Sequence, residues 1–479
     1  MTIKGHFRLR LRMLVFAVAG LILIWLVVSR SLGAYLADAA PQAALWFDSQ
    51  QPEALVNLAD EALIAARAPE NVGRADQAPG QDASAPDGLA KVTRYIQNLT
   101  HAFSAFETIG RNLTISRPTA PANAPAVRKW ATEAVMNDPL NAPALRILGQ
   151  LAEADSDDTN ASKFMQAADS LSLHEPYASY WLMRHSAATG DYESAIYYAD
   201  ILLRTNPQSD IYVVPLLAEI SEDKTGAALL KAVLADNPPW RRQFIAALPN
   251  NVTDGRIPLD LLLALRTSPV PPTNEDIAPY INFLVAQKFY GFAYYTWLQF
   301  LPPEQLRQAG LLFNGSFEAP PSGLPFDWKI TPGAGVTIDV VSRPDKTGQH
   351  ALLVDFQYGR VDYHSVTELV MLGPGTYEFK GEYKGELAGP RGMKWRVVCA
   401  NNGTIASGGE SPMITGIMKD WKTVAFTFTI PDKDCAAQYV RLDLEARMAS
   451  EQLISGSILF DDLQISRVAN PPSPPPPGG

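Results

Sequence analysis

In this sequence, the residues best suited to bind a ligand are aromatic residues that have polar neighbours. A pyranose ring presents C–H bonds that stack on an aromatic ring, while its hydroxyls bond to polar side chains. Four residues of the C-terminal third are candidates for such a carbohydrate contact: Tyr358, Tyr363, His364 and Trp395. The alternative interpretation for each of these aromatic residues is that its ring packs in the protein core. Polar strand positions such as Arg441 and Asp443 fit a solvated sheet face as well as a groove.

The usual signatures of catalysis are missing from the sequence. It contains no HExxH, GxSxG or GxxxxGK[ST] motif, and its six histidines are scattered. The acidic run from Asp155 begins like an EF-hand, but Asn160 replaces its glycine and Gln166 its final glutamate, so a solvated turn is the better interpretation. We therefore expect a non-enzymatic protein. The alternatives are a polysaccharide-acting enzyme such as a glycoside hydrolase, using two carboxylates of the β-domain, and a purely structural assembly factor.

Composition narrows the classes of partner. The net charge of -10 opposes attraction to nucleic acid, because such binding needs a surplus of Lys and Arg. The two cysteines, Cys399 and Cys435, are too few for a thiolate zinc site. They fall in adjoining strand regions, and we expect a disulfide between them if the compartment is oxidising.

The N-terminus predicts a membrane anchor. Basic residues occur within 1–12, and an apolar run from Met13 to Val28 follows, which reaches a spanning length if it extends to Leu36. The positive-inside bias places 1–12 in the cytoplasm, makes 13–36 a transmembrane signal anchor, and exports the bulk of the chain. The predicted location is the inner (plasma) membrane, single-pass, with the bulk periplasmic or otherwise extracytoplasmic. A signal peptide cleaved near Ala37 is the alternative, and a buried core helix is a third interpretation.

Helical periodicity extends over 37–306. The segment from Pro176 to Pro207 contains two apolar helical patterns separated at Gly190-Asp191. Its GDYxxAI run, Ala199 and Pro207 resemble a tetratricopeptide repeat, although Met183 departs from the family's small residue. The resemblance implies a scaffold that docks a protein partner, and an irregular helical bundle is the alternative. The segment 68–88, rich in Ala, Pro, Gly and Asp, is predicted to be a mobile loop.

From Leu311 the pattern alternates with a period of two. Thr376 to Lys384 has aromatic residues on one face and charged ones on the other, as in a half-buried strand. About eight such segments predict a two-sheet jelly roll over 311–468. The tail 469–479, rich in proline, is predicted to be extended and mobile. The fold class is thus multidomain α+β, with a transmembrane helix, all-α helical repeats and a C-terminal all-β sandwich.

Three short motifs are distributed along this β-domain from its opening to its closing segment. They are NGSFE at Asn314–Glu318, the strand between Trp421 and Pro431, and FDDLQI at Phe460–Ile465. Together with Trp328, they resemble the galactose-binding-like sandwiches that include many carbohydrate-binding modules. That resemblance implies one structural calcium held by Glu318 and Asp461, with Asp462 as an alternate ligand. These carboxylates could equally cap strand ends or face water.

Taken together, these patterns predict a membrane-anchored protein of the cell envelope. Its helical repeats would dock a protein partner, and its β-sandwich would bind a glycan. Involvement in the biosynthesis or export of a surface polysaccharide would suit that pairing.

Overall fold

The chain forms two compact units. The computed structural model describes residues 3–67, 123–343, 345 and 349–468. The predicted mobile loop 68–88 and the predicted tail 469–479 lie outside the described residues. One unit comprises Met1–Asp254 and the other Gly255–Gly479.

The described part of the first unit is helical. Its α-helices, α1 to α11 in chain order, are Ile3–Leu36, Pro41–Phe47, Pro52–Arg67, Ala124–Asn137, Ala142–Ala154, Asp158–Leu171, Pro176–Ala188, Tyr192–Thr205, Asp210–Glu222, Lys224–Ala235 and Arg241–Ala247. Within α1, Phe16–Leu36 is long and apolar enough to cross a membrane by length and composition. A retained anchor and a signal sequence both meet that criterion.

Local sequence explains where these helices begin and end. Asn141, Asp157 and Asp191 each accept a backbone N–H of the first helical turn, which satisfies a donor that the helix leaves unpaired. Gly190 separates α7 from α8 with a φ of 78°, a conformation that glycine adopts without strain. The helix pair predicted between Pro176 and Pro207 is therefore confirmed as two helices, while its assignment to the tetratricopeptide family stays a prediction.

The second unit contains four further helices and all the described strands. Helices α12 to α15 are Ile257–Leu265, Asn274–Ala286, Tyr290–Leu298 and Pro303–Gln308. Strands β1 to β9 are Val336–Ser342, His350–Phe356, Val366–Val370, Gly375–Ala388, Met393–Cys399, Ile405–Glu410, Gly416–Ile430, Gln438–Leu444 and Ser455–Arg467. The strand order is β1-β2-β9-β4-β7-β6-β5-β8-β3, with antiparallel pairing. The predicted α+β class is confirmed.

The nine-stranded sheet curls so that its two halves face each other. The ring of Trp395 on β5 lies 5.4 Å from Phe379 on β4 and 5.5 Å from Phe460 on β9, centroid to centroid. Since β5 belongs to one half of the sheet and β4 and β9 to the other, these rings fill a shared core. Alternating apolar residues on both halves build a sandwich. β6, rich in glycine and absent from the sequence prediction, pairs with strands of both halves.

The opening and closing segments of the sandwich lie against each other. The backbone N–H of Leu463 donates to the carbonyl of Gly315 at 2.9 Å. The indole N–H of Trp328 donates to the carbonyl of Asn314 at 3.1 Å. A Cβ at Gly315 would stand 1.9 Å from the Leu463 carbonyl oxygen, so only glycine permits this approach. The motifs NGSFE and FDDLQI therefore meet in space.

The disulfide predicted between Cys399 and Cys435 is confirmed. It joins the end of β5 to the segment before β8, with Cα atoms 5.0 Å apart. Both half-cystines are buried.

The last helices pack on the sandwich through aromatic rings. Trp297 of α14 lies 5.0 Å from Phe313 and 5.7 Å from Phe326, and Tyr294 lies 5.3 Å from Phe326. The sequence predicts one helical region up to Leu306, whereas α12 to α15 belong to the same compact unit as the strands.

Candidate functional site

The outward face of β5, β8 and β3 carries charged residues in register. In the strand register, Arg396 on β5 lies opposite Arg441 on β8, and Arg441 lies opposite Thr367 on β3. Two residues further along these strands, Lys394 lies opposite Asp443. These positions alternate with core residues of the same strands, so the charged side chains point away from the core.

Arg396 is the centre of this arrangement. Its Nε donates to Glu410 at 2.9 Å, its Nη1 donates to Asp443 at 3.2 Å, and its Nη2 donates to Glu445. Lys394 donates to the other oxygen of Glu410. The planar guanidinium presents its donors in a fixed fork, which holds the three carboxylates in defined positions.

Arg441 extends the arrangement toward β3. Its Nη2 donates to Asp443 at 2.9 Å, and the hydroxyl of Ser365 donates to the same carboxylate at 2.5 Å. We define the charged face as Lys394, Arg396, Glu410, Arg441, Asp443 and Glu445. It holds equal numbers of positive and negative side chains, so its donors and acceptors are ordered without a large net charge.

The electrostatics of the charged face keep Glu410 ionised. Hydrogen bonds from Lys394 and then from Arg396 hold the pKa of Glu410 below its ordinary value. A carboxyl group with a lowered pKa accepts hydrogen bonds well at neutral pH but is poorly suited to donate a proton. Glu410 therefore has the character of a binding group.

The far end of the same sheet face is covered. The row next to Arg396 and Arg441 consists of Val398, Tyr439 and Leu369, of which Val398 and Leu369 are buried although they point outward. Burial, and then the neighbouring phenol of Tyr290 on α14, raise the pKa of Tyr439. α14 thus lies over the apolar row, whereas Glu410 and Arg441 of the charged face are partly exposed.

The loop between β2 and β3 contains the exposed aromatic candidates. Tyr358 is 99% exposed, and the imidazole of His364 is partly exposed, 3.5 Å from the carboxylate of Asp362. His364 directly precedes Ser365, which bonds to Asp443 of the charged face. Tyr358 is therefore open to a ligand, and His364 is adjacent in sequence to a residue that bonds to the charged face.

The loop after β8 links Tyr358 to the charged face. Arg360, two residues after Tyr358, donates from Nε to Gln452 at 2.8 Å, and Val361 donates its N–H to the Gln452 carbonyl at 3.1 Å. Glu445, in the same loop as Gln452, is bonded to Arg396. The exposed ring and the charged side chains are thus carried by connected elements.

Two of the predicted sugar contacts pack in or against the core instead: Trp395 is buried and Tyr363 is half-buried. Trp395 is 0% exposed in the centre of the core, so its ring is closed to any ligand. Tyr363 packs 5.7 Å from Phe356 and donates its hydroxyl to the Leu442 carbonyl at 2.9 Å. Burial raises the pKa of Tyr363. Both rings are packing residues, and Tyr363 also fixes the start of β3 against β8.

Trp421 on β7 is half-buried. The guanidinium of Arg343 lies 3.9 Å from its ring centroid, and its indole N–H donates to Asp345 at 2.8 Å. Asp345 in turn accepts from the same arginine. This is a cation–π contact that ties the chain after β1 to β7.

The carboxylates predicted to share a calcium ion have separate partners. Glu318 accepts the backbone N–H of His350 at 3.1 Å, whereas Asp461 accepts from the buried guanidinium of Arg343 at 2.5 Å. Among the described residues, no group of three or more His, Cys, Asp or Glu side chains is placed to hold a metal ion. The arrangement does not fit a shared calcium, since an ion at Asp461 would have to displace Arg343, and calcium binding stays a sequence prediction.

Sequence reasoning missed Arg396, Glu410 and Glu445. The alternation of Lys394 and Arg396 with core residues was a visible signal of one polar strand face. The contact between Arg396 and Asp443 was not visible, because the two residues are 47 positions apart.

Comparison with known proteins gives structural similarities only. No protein-family model matches the chain, and no curated protein matches it. A structure described as CBM4 is 18% identical over 33% of this chain and 99% of its own, with a TM-score of 0.25. A CBM61 structure in complex with β-1,4-galactotriose is 19% identical over 33% of this chain and 99% of its own, with a TM-score of 0.24. The xylan-binding domain CBM22-1 from Paenibacillus barcinonensis is 17% identical over 30% of this chain and 87% of its own, with a TM-score of 0.21. A shared ligand does not follow from similarity at this level.

Proposed function

We propose that this chain is a membrane-anchored, non-enzymatic protein whose β-sandwich binds a glycan at the charged face. The observation that carries the proposal is the set of fixed donors and acceptors around Arg396, connected to the fully exposed ring of Tyr358. The helical unit would dock a protein partner. A role in the biosynthesis or export of a surface polysaccharide fits this combination.

The chemistry of the charged face favours a neutral sugar chain. Hydroxyls both donate and accept, so they match a surface on which guanidinium groups and carboxylates alternate. A polyanion would be attracted by an excess of cations, and the three carboxylates of the face oppose that. Tyr358 supplies a ring on which a sugar can stack.

Hydrolysis is the less favoured function. A glycosidase needs one carboxylic acid with a raised pKa opposite a second carboxylate. On the charged face, Glu410 has a lowered pKa, and Asp443 and Glu445 are bonded to the same guanidinium. The hydrogen bonds to Arg396 hold these groups in fixed positions, which suits binding.

The packing of α1 supports an anchor that is retained. The end of α1 is part of the fold: its last residue, Leu36, packs against the buried cluster of Ala37, Ala44 and Ala54. The side chain of Asn57 donates to the Ala37 carbonyl at 2.9 Å. Cleavage near Ala37 would remove the helix that these groups pack against.

The proposed location is outside the cytoplasm, with the N-terminus inside. The basic residues of 1–12 precede the apolar run, which favours that orientation. The Cys399–Cys435 disulfide supports it, because such bonds persist in oxidising compartments.

Exposed apolar side chains on the helical unit support a protein-docking role. Met136 at the end of α4 and Leu140 in the turn after it are exposed, as are Tyr197 on α8 and Ile211 on α9. Apolar side chains of this kind often mark protein interfaces.

A binding screen of the full chain tests the glycan proposal. The protein, held in lipid nanodiscs, would be applied to an array of neutral and acidic glycans, and hits would be titrated by calorimetry. Tyr358→Ala should weaken binding about tenfold, the loss of one stacking contact of about 1–1.5 kcal/mol. Tyr197→Ala, an exposed tyrosine of the other unit, is the matched control and should bind as the wild type does. Absence of any glycan binding by the folded protein at millimolar concentration would refute the proposal and favour a structural assembly factor.

A further inference from the structure

We propose that the C-terminal end of α2 reaches the membrane surface, with Trp46 and Tyr35 inserted into the interfacial layer of the bilayer. This inference rests on the proposed membrane anchor and adds a second contact to it. The partner is the lipid headgroup region of the membrane that α1 crosses.

The first observation is that α2 folds back along the end of α1. A Cβ at Gly33 would stand 3.4 Å from the Cβ of Asp48 and 3.7 Å from the Ala44 carbonyl oxygen. Ser29, Gly33 and Ala37 are buried, one helical turn apart, on the side that meets α2 and α3. The C-terminal end of α2 therefore lies level with Gly33, two to three residues before the end of α1.

The second observation is the length of the apolar run. The residues 13–28 span about 24 Å as a helix, whereas the hydrocarbon core of a bilayer is about 30 Å thick. The missing distance of about 6 Å corresponds to about four more residues. The outer boundary of the hydrocarbon then falls near Leu32 and Gly33, which is the level that the end of α2 reaches.

The third observation is the exposure of two amphipathic rings at that level. Trp46 is 79% exposed and Tyr35 is 70% exposed. Tryptophan and tyrosine prefer the membrane–water interface, where the ring contacts acyl chains and the polar atom stays hydrated. Arg30, also exposed, can extend its guanidinium to the headgroups. The exposed apolar side chains of α1 lead directly up to these rings, which favours the membrane as their partner.

Site-specific fluorescence tests this contact on the full chain. Trp46→Cys or Tyr35→Cys would be labelled with an environment-sensitive fluorophore while the buried disulfide stays oxidised. The protein would be placed in nanodiscs of equal parts phosphatidylcholine and phosphatidylglycerol, with and without lipid spin-labelled at the headgroup. Met136→Cys, another highly exposed apolar position of the same unit, is the matched control.

Labels at positions 46 and 35 should be quenched several-fold more strongly than the label at position 136. Equal quenching at all three positions, in protein that an alkaline wash leaves in the membrane, would overturn the interfacial contact and leave the anchor intact. Release of the protein by the wash would overturn both. A label at position 46 that reports an apolar environment and yet is not quenched by spin-labelled lipid would identify a protein contact. That result would also overturn the inference.

Discussion

Replacement of Arg396 by methionine should destabilise the sandwich by about 2–3 kcal/mol at neutral pH. Methionine keeps the apolar stem of the side chain, so the change removes mainly the charge and the donors. Arg396 is 17% exposed, Asp443 8% and Glu445 13%, so solvent screens these groups only in part.

The expected loss of stability depends on which cationic partners each carboxylate retains in Arg396→Met. Glu410 would retain Lys394, and Asp443 would retain Arg441. Glu445 would keep a long ion pair with Arg447, at 3.8 Å, and the more distant charge of Arg391. One carboxylate is thus left nearly unpaired, which is why we expect less than the full cost of about 3–5 kcal/mol for breaking a buried pair. Arg441→Met is the matched control, because it removes a more exposed guanidinium that bonds to one carboxylate, and it should cost under about 1 kcal/mol.

The loss should also depend on pH. The pKa of Glu410 is lowered in the folded protein, so its contribution is present above its ordinary value of 4.5 and is lost as the pH falls through the folded pKa. The difference between wild type and Arg396→Met should therefore shrink in acid. Urea unfolding of the full chain, with hydrogen exchange at the amides of β5 and β8, measures it. A loss below about 0.5 kcal/mol, or one that does not change with pH, would refute the role assigned to Arg396.

Cys399→Ser removes the disulfide, which closes a loop of 36 residues, and should lower the free energy of unfolding by about 3–4 kcal/mol. Denaturation of both proteins without reductant measures this difference, and equal stability would contradict the prediction. Burial raises the pKa of Glu368 well above its ordinary value of 4.5, so its contribution to stability is lost as the pH rises from there. Glu368→Gln should accordingly gain stability over wild type between about pH 5 and 8, and a constant difference would exclude this explanation. Gly315→Ala should cost about 2–3 kcal/mol, because its Cβ meets the Leu463 carbonyl, whereas Gly373→Ala, with no atom within 4 Å, should cost little in the same thermal denaturation assay.

The sequence identified the strands whose two faces differ chemically. Thr376 to Lys384 and Val424 to Ile430 alternate between apolar and polar residues, and both lie in observed strands. β6 escaped notice because its sequence, IASGGE, carries neither an apolar stripe nor branched residues, and its place depends on pairing with β5 and β7. Glycine at 408 has a φ of 75°, which is typical of an irregular strand.

The candidate site was predictable only in part, because exposure is a property of the assembled core. Tyr358 and Trp395 both have polar neighbours in sequence, yet one ring is open to solvent and the other is the centre of the sandwich. Likewise, Arg441 and Asp443 resemble any solvated strand face until β5 brings Arg396 beside them. The register between strands, which fixes such neighbours, is not visible in any one strand.

Hydrogen exchange of the full chain with and without a bound neutral glycan tests the central claim most directly. At saturation, protection should appear in the loop 357–365, in β5 and β8, and in the loop after β8 that contains Glu445. Lys380, on the outward face of the other half of the sheet, lies in β4 and should exchange as in the free protein. Protection confined to β4 and β7, or to the helical unit, would contradict the claim that the charged face binds the glycan.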